Sequence, residues 1–375
     1  MRFELSETQQ LLQKTARQFL TNECPMAEVR KRMETDNPHD AALHKKMAEQ
    51  GWTGMIFPEE YGGMALGMVE LAATFEQMGR VLLPGAFFST VALAGSILDA
   101  AGNPEQKAKW LTPICEGTAL ATAALIEESP EWETATWSAT AKASGSGYVL
   151  DGKKMFVTDA ATADFIVAAV KLSGELALVV VPANAPGLSV RALRSYDLTR
   201  RVSEVSFQGV NVGADHLLAK GAAAEAALHH GLNVAVLALT AEMAGGMARA
   251  LEITTEYAKT RKQFDTVIGK FQAVQHLCAD MYLWTESSRA AVYYAAYALD
   301  KRLPEADAAI SVAKVYAGDS YREVGNRGIQ VHGGMGFTWE NDMHLFYRRA
   351  KASESALGET AYHRERLARL VIDAV

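Results

Sequence analysis

Three stretches of the chain carry side chains whose types and spacing could do chemistry. The first is Arg261-Lys262-Gln263-Phe264. A planar arginine fork suits the paired oxygens of a pyrophosphate, a glutamine amide can donate and accept, and Phe264 offers a ring on which an adenine can pack. The plainer reading of Arg261 is a cation that favours a helix C-terminus. The second stretch is Gln330-Val331-His332-Gly333-Gly334-Met335-Gly336, where three glycines in four residues let the backbone approach another group closely. The third is Glu242, set in the apolar run Leu237-Ala238-Leu239-Thr240-Ala241-Glu242-Met243-Ala244-Gly245-Gly246. A carboxylate there must be paired or have a perturbed proton affinity. It is either a structural partner, a contact to a bound cofactor, or a catalytic base.

The elements that must position these residues follow from hydrophobic period. Leu11, Leu12, Ala16, Phe19 and Leu20 recur at helical spacing after the polar start Ser6-Glu7. A turn-rich Phe57–Gly63 stretch, a helical run from Met68, and a short helix opened by Asn103-Pro104 follow. From about 121 to 218 the period becomes that of strands. Tyr148–Leu150 and Met155–Val157 flank Asp151-Gly152, a favoured hairpin dipeptide, and Phe165–Val170, Leu176–Val181 and Val202–Phe207 read as further strands. No strand leads into a Gly-x-Gly-x-x-Gly helix start, which argues against a Rossmann dinucleotide site. Long helices return from about 220, with Leu232, Val236, Leu239, Met243, Met247 and Leu251 on one face.

Composition narrows the classes. A chain of 375 residues exceeds what one core usually serves. A net charge of −7 lacks the basic character of a general nucleic-acid binder. Cys24, Cys115 and Cys278 fit no metal or disulfide spacing. No apolar run of membrane-spanning length and no signal pattern at Met1-Arg2-Phe3 are expected, so the protein reads as cytoplasmic.

Together, Arg261–Gln272 and Gln330–Glu340 resemble the flavin-binding C-terminal region of the acyl-CoA dehydrogenase family, and the likeness runs from the first helix to Leu367. The resemblance implies a mainly α fold with a β insert (α+β). An N-terminal α-helical domain spans 1–120, a small β-barrel-like middle domain 121–218, and a C-terminal four-helix bundle 219–375. It implies FAD as cofactor. Arg261, Gln263 and Phe264 are then expected to reach the FAD of a neighbouring subunit, with Gln330, Gly333 and Gly334 at the other end of the same arm. Gln272 matches a family position too, although packing on a helix surface explains it equally. Beside the flavin ring the resemblance places backbone groups of Leu125 and Ile126, with Phe156 for packing and Thr158 near the flavin N5 edge. The chain departs from the family pattern at Ile126-Glu127-Glu128, where Thr-Glu-Pro is usual, and at Ser129-Pro130-Glu131-Trp132.

The resemblance also implies a reaction: 2,3-desaturation of an acyl-CoA thioester, with electrons passed to an electron-transferring flavoprotein. That chemistry needs a positioned carboxylate to take a weakly acidic proton. The usual glutamate position is Leu357 in this chain, and the position used by a minority of relatives is Ala235. Glu242 lies about two turns, ~10 Å, further along the same helix, and is the candidate base; Glu354 and Glu359 are near Leu357 only in sequence. His332 is expected to abut the cofactor, and Arg200-Arg201 and Arg348-Arg349 to meet phosphates or form salt bridges. A missing glutamate resembles the short, non-catalytic subunits of heteromeric members, some of which act on bulky, steroid-like acyl-CoAs. The expected assembly is therefore a homo-oligomer, or a heterotetramer with a longer acyl-CoA dehydrogenase subunit. A flavin oxidase or monooxygenase with a non-CoA substrate, and a purely structural subunit, stay open.

Overall fold

A computed structural model describes residues 4–129 and 131–372. Met1-Arg2-Phe3, read above for a targeting signal, and Pro130 lie outside the described residues.

Six helices come first: α1 (Glu7–Glu23), α2 (Met26–Met33), α3 (Ala41–Glu49), α4 (Met68–Arg80), α5 (Ser96–Ala101, preceded by a π-helical stretch Phe88–Gly95) and α6 (Pro104–Cys115). Their starts are set by local chemistry. Ser6 and Gln9 form a capping box on α1, Asp40 caps α3, and Asn103 with Gln106 boxes α6 with proline in its first turn.

Eight strands follow: β1 (Ala121–Ala124), β2 (Thr140–Ser144), β3 (Gly147–Thr158), β4 (Phe165–Leu172), β5 (Glu175–Pro182), β6 (Leu188–Leu193), β7 (Val202–Gly213) and β8 (Leu217–Lys220). They form one sheet in the order β6-β7-β3-β2-β4-β5-β8, with β1 added parallel to β4. The path runs from β6 to β8 and makes up the β insert of the α+β plan. In β4 the side chains alternate between two cores. Phe165, Val167 and Ala169 pack with the helices, while Ile166, Ala168 and Val170 pack among the strands. Burial on both faces explains why this strand reads as a continuous apolar run.

Asp151-Gly152 is not the hairpin turn. β3 runs straight through it, and the turn to β2 lies at Gly145, at φ +56°. Gly152, at φ +135°, marks a slip in the β3–β7 register, and a Cβ there would lie 2.6 Å from the Cβ of Ala139. The dipeptide serves a bulge because its glycine lets the strand pass close to Ala139.

The C-terminal part consists of α7 (Ala222–Thr260), a small hairpin of β9 (Lys262–Gln263) and β10 (Thr266–Val267), then α8 (Gln272–Asp300), α9 (Ala306–His332), α10 (Met343–Ser355) and α11 (Thr360–Val371). Contrary to the expectation of no such run, α7 is long and apolar enough to cross a membrane, with a window hydropathy of 1.4. That window is 89% buried inside the protein, so α7 is the central core helix. It packs against α4 through glycines on both helices. A Cβ on Gly245 would fall 1.7 Å from the Glu76 carbonyl oxygen, and one on Gly79 would fall 2.0 Å from that of Glu242. Gly245→Ala must therefore push the two helices apart. Its thermal unfolding midpoint should drop, consistent with an overpacking cost of ~1–3 kcal/mol or more; an unchanged midpoint would show that the contact yields freely.

Candidate active site

A cavity of about 1040 Å³ lies where the sheet meets the end of α10. One wall is β3. Its register with β7 slips again between Lys154 and Val157. At this bulge Phe156 takes φ +53° and stays 52% exposed, while Met155 donates its N–H to the Ile126 carbonyl at 2.9 Å. An aromatic residue with positive φ is a strained exception that the surroundings must hold in place. Here the bulge re-aims Phe156 into the cavity. Thr158 lines the same cavity, and its hydroxyl bonds to no described protein group.

Beneath this wall is a buried ion pair that the sequence reading passed over. Lys154 is fully buried; its Nζ donates to the Leu125 carbonyl at 2.7 Å and to Glu127 at 2.9 Å, and lies 4.8 Å from the Trp137 ring centroid. Burial lowers the ammonium to about 8. Glu127 also accepts from the N–H groups of Ser138 and Ala139. Burial alone would raise its pKa, but the bonds from Ala139, Ser138 and Lys154 outweigh it and hold the carboxyl at about 2. The pair ties the 125–127 segment to β3 and to the 137–139 segment. The available signal was a lysine at an inward-facing strand position, since an unpaired one would not be tolerated there.

The opposite wall holds Tyr347, Lys351, Ala356, Leu357 and Tyr362. Leu357, at φ +55°, occupies a turn pinned from both sides. His363 Nε2 donates to the Leu357 carbonyl at 2.9 Å. Buried Lys314 donates to the Glu354 carbonyl at 2.9 Å, where α10 ends. Burial pushes His363 down to about 4, so its imidazole is neutral.

Between the walls sits a buried charge network. Glu242, only 5% exposed, accepts from Arg200 Nη2 at 2.7 and 3.0 Å and lies 3.9 Å from Arg349 Nη1. Arg349 donates to Asp197 and Thr199, all three being buried. Nearby, Asp159 accepts from Ser89 at 3.0 Å, and burial raises it to about 6. Arg200 and Asp197 line the cavity, but Glu242 stands behind Arg200 and is not among the lining residues.

The other sequence expectations fall as follows. Leu125, Ile126, Phe156 and Thr158 converge on the cavity. Arg261, Gln263, Phe264, Gln272, Gln330, Gly333 and Gly334 do not line it. They lie on exposed surface, Phe264 at 87%, at the β9–β10 hairpin, the start of α8 and the end of α9. Glu359 lines the cavity rim and is exposed, whereas Glu354 pairs with Arg322. His332 is buried; its Nδ1 donates to the Gly328 carbonyl at 2.8 Å, and its ring stacks 4.4 Å from that of Tyr257. Arg349 and Arg201 are taken up internally, the latter by the carbonyls of Met33 and Thr35, so neither reaches for a phosphate.

The residues present fit FAD. Gly333 and Gly334 are solvent-facing positions where an added Cβ would meet nothing within 4 Å, so the backbone there stands open to an incoming group. The ring-sized cavity carries an aromatic side chain and a free hydroxyl.

The comparisons decide the family. Models of the acyl-CoA dehydrogenase N-terminal, middle and C-terminal domains match residues 6–118, 126–210 and 225–372. The chain belongs to the acyl-CoA dehydrogenase family. It is 30% identical to a probable acyl-CoA dehydrogenase, YngJ, of Bacillus subtilis, over 99% of this chain and 100% of that one. Among solved structures it is similar to the ChsE4–ChsE5 complex of Mycobacterium tuberculosis, with TM-score 0.90, 28% identity and 98% of each chain covered. It is also similar to a Tcur3481–Tcur3483 steroid ACAD variant, with TM-score 0.88, 29% identity and 98% of each chain covered. An FAD complex, PigA with FAD and proline, matches with TM-score 0.91 and 26% identity over 98% of each chain. Members of this family bind FAD, and the chain is an FAD-dependent oxidoreductase acting on CH–CH bonds.

Glu127 supplies a pH test. Its folded pKa of about 2 lies below the ordinary 4.5, so its contribution is present above pH 4.5 and is lost as pH falls towards 2. Glu127→Gln should lower the unfolding midpoint at pH 6 and flatten its decline between pH 4.5 and 2. A variant with the wild-type pH profile would show that the pair contributes nothing.

Proposed function

We propose that this chain is one subunit of a heteromeric acyl-CoA dehydrogenase acting in the cytoplasm on a bulky, steroid-like acyl-CoA, and that the catalytic base comes from a longer companion subunit. The observation that carries it is the cavity's lack of a desolvated, unpaired carboxylate among the described residues. Leu357 stands at the family's usual base position and lines the cavity. Glu242 is committed to Arg200, Asp197 to Arg349, and Glu133 to Arg369. Glu131 and Glu359 lie at the rim and are exposed, where hydration makes a carboxylate a weak base.

In this reading Phe156 packs against the isoalloxazine ring, Thr158 offers its hydroxyl at the ring edge, and the 125–126 backbone adds contacts from the loop that Lys154 fixes. Bound FAD supplies the hydride acceptor. Arg261, Gln263 and Phe264 hold the pyrophosphate–adenosine arm at a subunit boundary, with Gln330, Gly333, Gly334 and Gln272 on the same arm. Similarity to the ChsE4–ChsE5 complex supports a heteromer, and similarity to a steroid ACAD supports a bulky acyl group. An electron-transferring flavoprotein is the proposed electron acceptor.

The turn at Leu357 is pre-formed, so restoring a carboxylate there should restore the missing step. FAD-loaded Leu357→Glu mixed anaerobically with octanoyl-CoA should lose its 450-nm absorbance ~10²-fold faster or more than wild type, the ordinary contribution of a general base. Glu242→Gln unpairs Arg200 and should lower the unfolding midpoint, but the protein that stays folded and FAD-loaded should keep the slow wild-type rate. Wild-type bleaching as fast as that of Leu357→Glu would overturn the partner reading, and its abolition in Glu242→Gln would make Glu242 the base.

A further inference from the structure

Arg200 is the one cation of the buried network that faces the cavity, and only part of it is used. Its Nη2 alone donates to protein, both bonds going to Glu242. Nε and Nη1 donate to nothing among the described residues, although the side chain is only 12% exposed. One face of the guanidinium lies on Phe88, 4.7 Å from the ring centroid. The cavity's apolar lining includes Phe88, Leu93, Ala123, Val157 and Val202, beside the cations Arg194 and Lys351. Glu242 on Nη2 and Phe88 against one face thus hold the guanidinium in place at the cavity wall, leaving Nε and Nη1, on opposite sides of the group, without a protein acceptor.

An alkyl chain filling that space would strip water from these donors and return nothing, which penalises it. An oxygen acceptor would satisfy them. The network already holds three carboxylates, Asp159, Asp197 and Glu242, against two guanidinium groups, Arg200 and Arg349. A fourth carboxylate would add to an excess of negative charge, so a neutral oxygen suits the site better than an anionic one.

We infer that Arg200, positioned by Glu242, is a specificity determinant that selects an acyl group bearing a neutral oxygen, a ketone or hydroxyl, over a plain alkyl chain. This rests on the acyl-CoA reading above and deepens it. A carbonyl of the flavin ring has the same chemistry, and the test separates the two sources.

FAD-loaded protein is titrated calorimetrically with octanoyl-CoA, its 5-oxo and 7-oxo analogues, and suberyl-CoA. At least one oxo analogue should bind about tenfold tighter than octanoyl-CoA, the scale of one hydrogen bond from a charged donor, and suberyl-CoA should not. In Arg200→Met/Glu242→Met, which removes the pair together and leaves neither charge alone, the advantage should vanish while FAD occupancy holds. Should that variant fail to fold, Arg200→Lys, which keeps the charge but loses the fork, should cut the advantage in the same direction. Equal affinities in wild type, a preference for suberyl-CoA, or an advantage that survives in the variants would overturn the inference. So would loss of FAD with the oxo preference intact, which would place the acceptor on the flavin. Failure of every acyl-CoA to bind would instead remove the acyl-CoA reading itself.

Discussion

Burial of charge at the junction of three segments is the constraint on which the site depends. Glu242 comes from α7, Arg349 from α10, and Asp197 and Arg200 from the connection between β6 and β7. Each alone would be strongly disfavoured out of water, and removing one partner from such a set typically costs about 3–5 kcal/mol. The three segments are therefore held to one another by what none can leave unpaired. Since Arg200 and Asp197 also line the cavity, the same requirement sets the position of its back wall. It also accounts for an acidic residue in the apolar centre of α7 that does not line the cavity.

The front wall follows the same logic on a smaller scale. Phe156 sits in an unfavourable backbone conformation at a bulge, and the bulge is secured by Met155 bonding to Ile126 and by Lys154 reaching under the loop to Leu125 and Glu127. Strain at one exposed aromatic is offset by a buried, fully bonded pair beneath it. The family's Thr-Glu-Pro turn is changed here to Ile126-Glu127-Glu128, yet Glu127 keeps the segment in place through bonds that do not involve the altered residues.

The parts legible in the sequence were those written locally. Helix period, capping residues and the apolar runs of β4 and β5 gave the α+β plan, because burial of one or both faces imprints a period on the chain. The residues that converge on the cavity, from Leu125 to Thr158, were reached through their resemblance to a family pattern. Pairings across long sequence distances were not legible. Nothing near Glu242 in sequence announces Arg200, 42 residues away, and nothing near Arg349 announces Asp197, 152 residues away. Asp151-Gly152 misled for a related reason: the dipeptide's freedom suits a bulge as well as a hairpin, and only the approach of Ala139 decides between them.

The remaining candidate residues, Arg261, Gln263, Phe264, Gln330, Gly333 and Gly334, stand exposed and away from the cavity in a single chain. In the function proposed above, one cofactor uses both sets by crossing from one chain to another, so the site is divided between subunits. The direct measurement is a crystal structure of the FAD-loaded assembly. The account predicts the isoalloxazine ring against Phe156 and Thr158, with the adenosine arm against Arg261 and Phe264 of a neighbouring subunit. An FAD held entirely within one chain, or a ring bound outside this cavity, would contradict it.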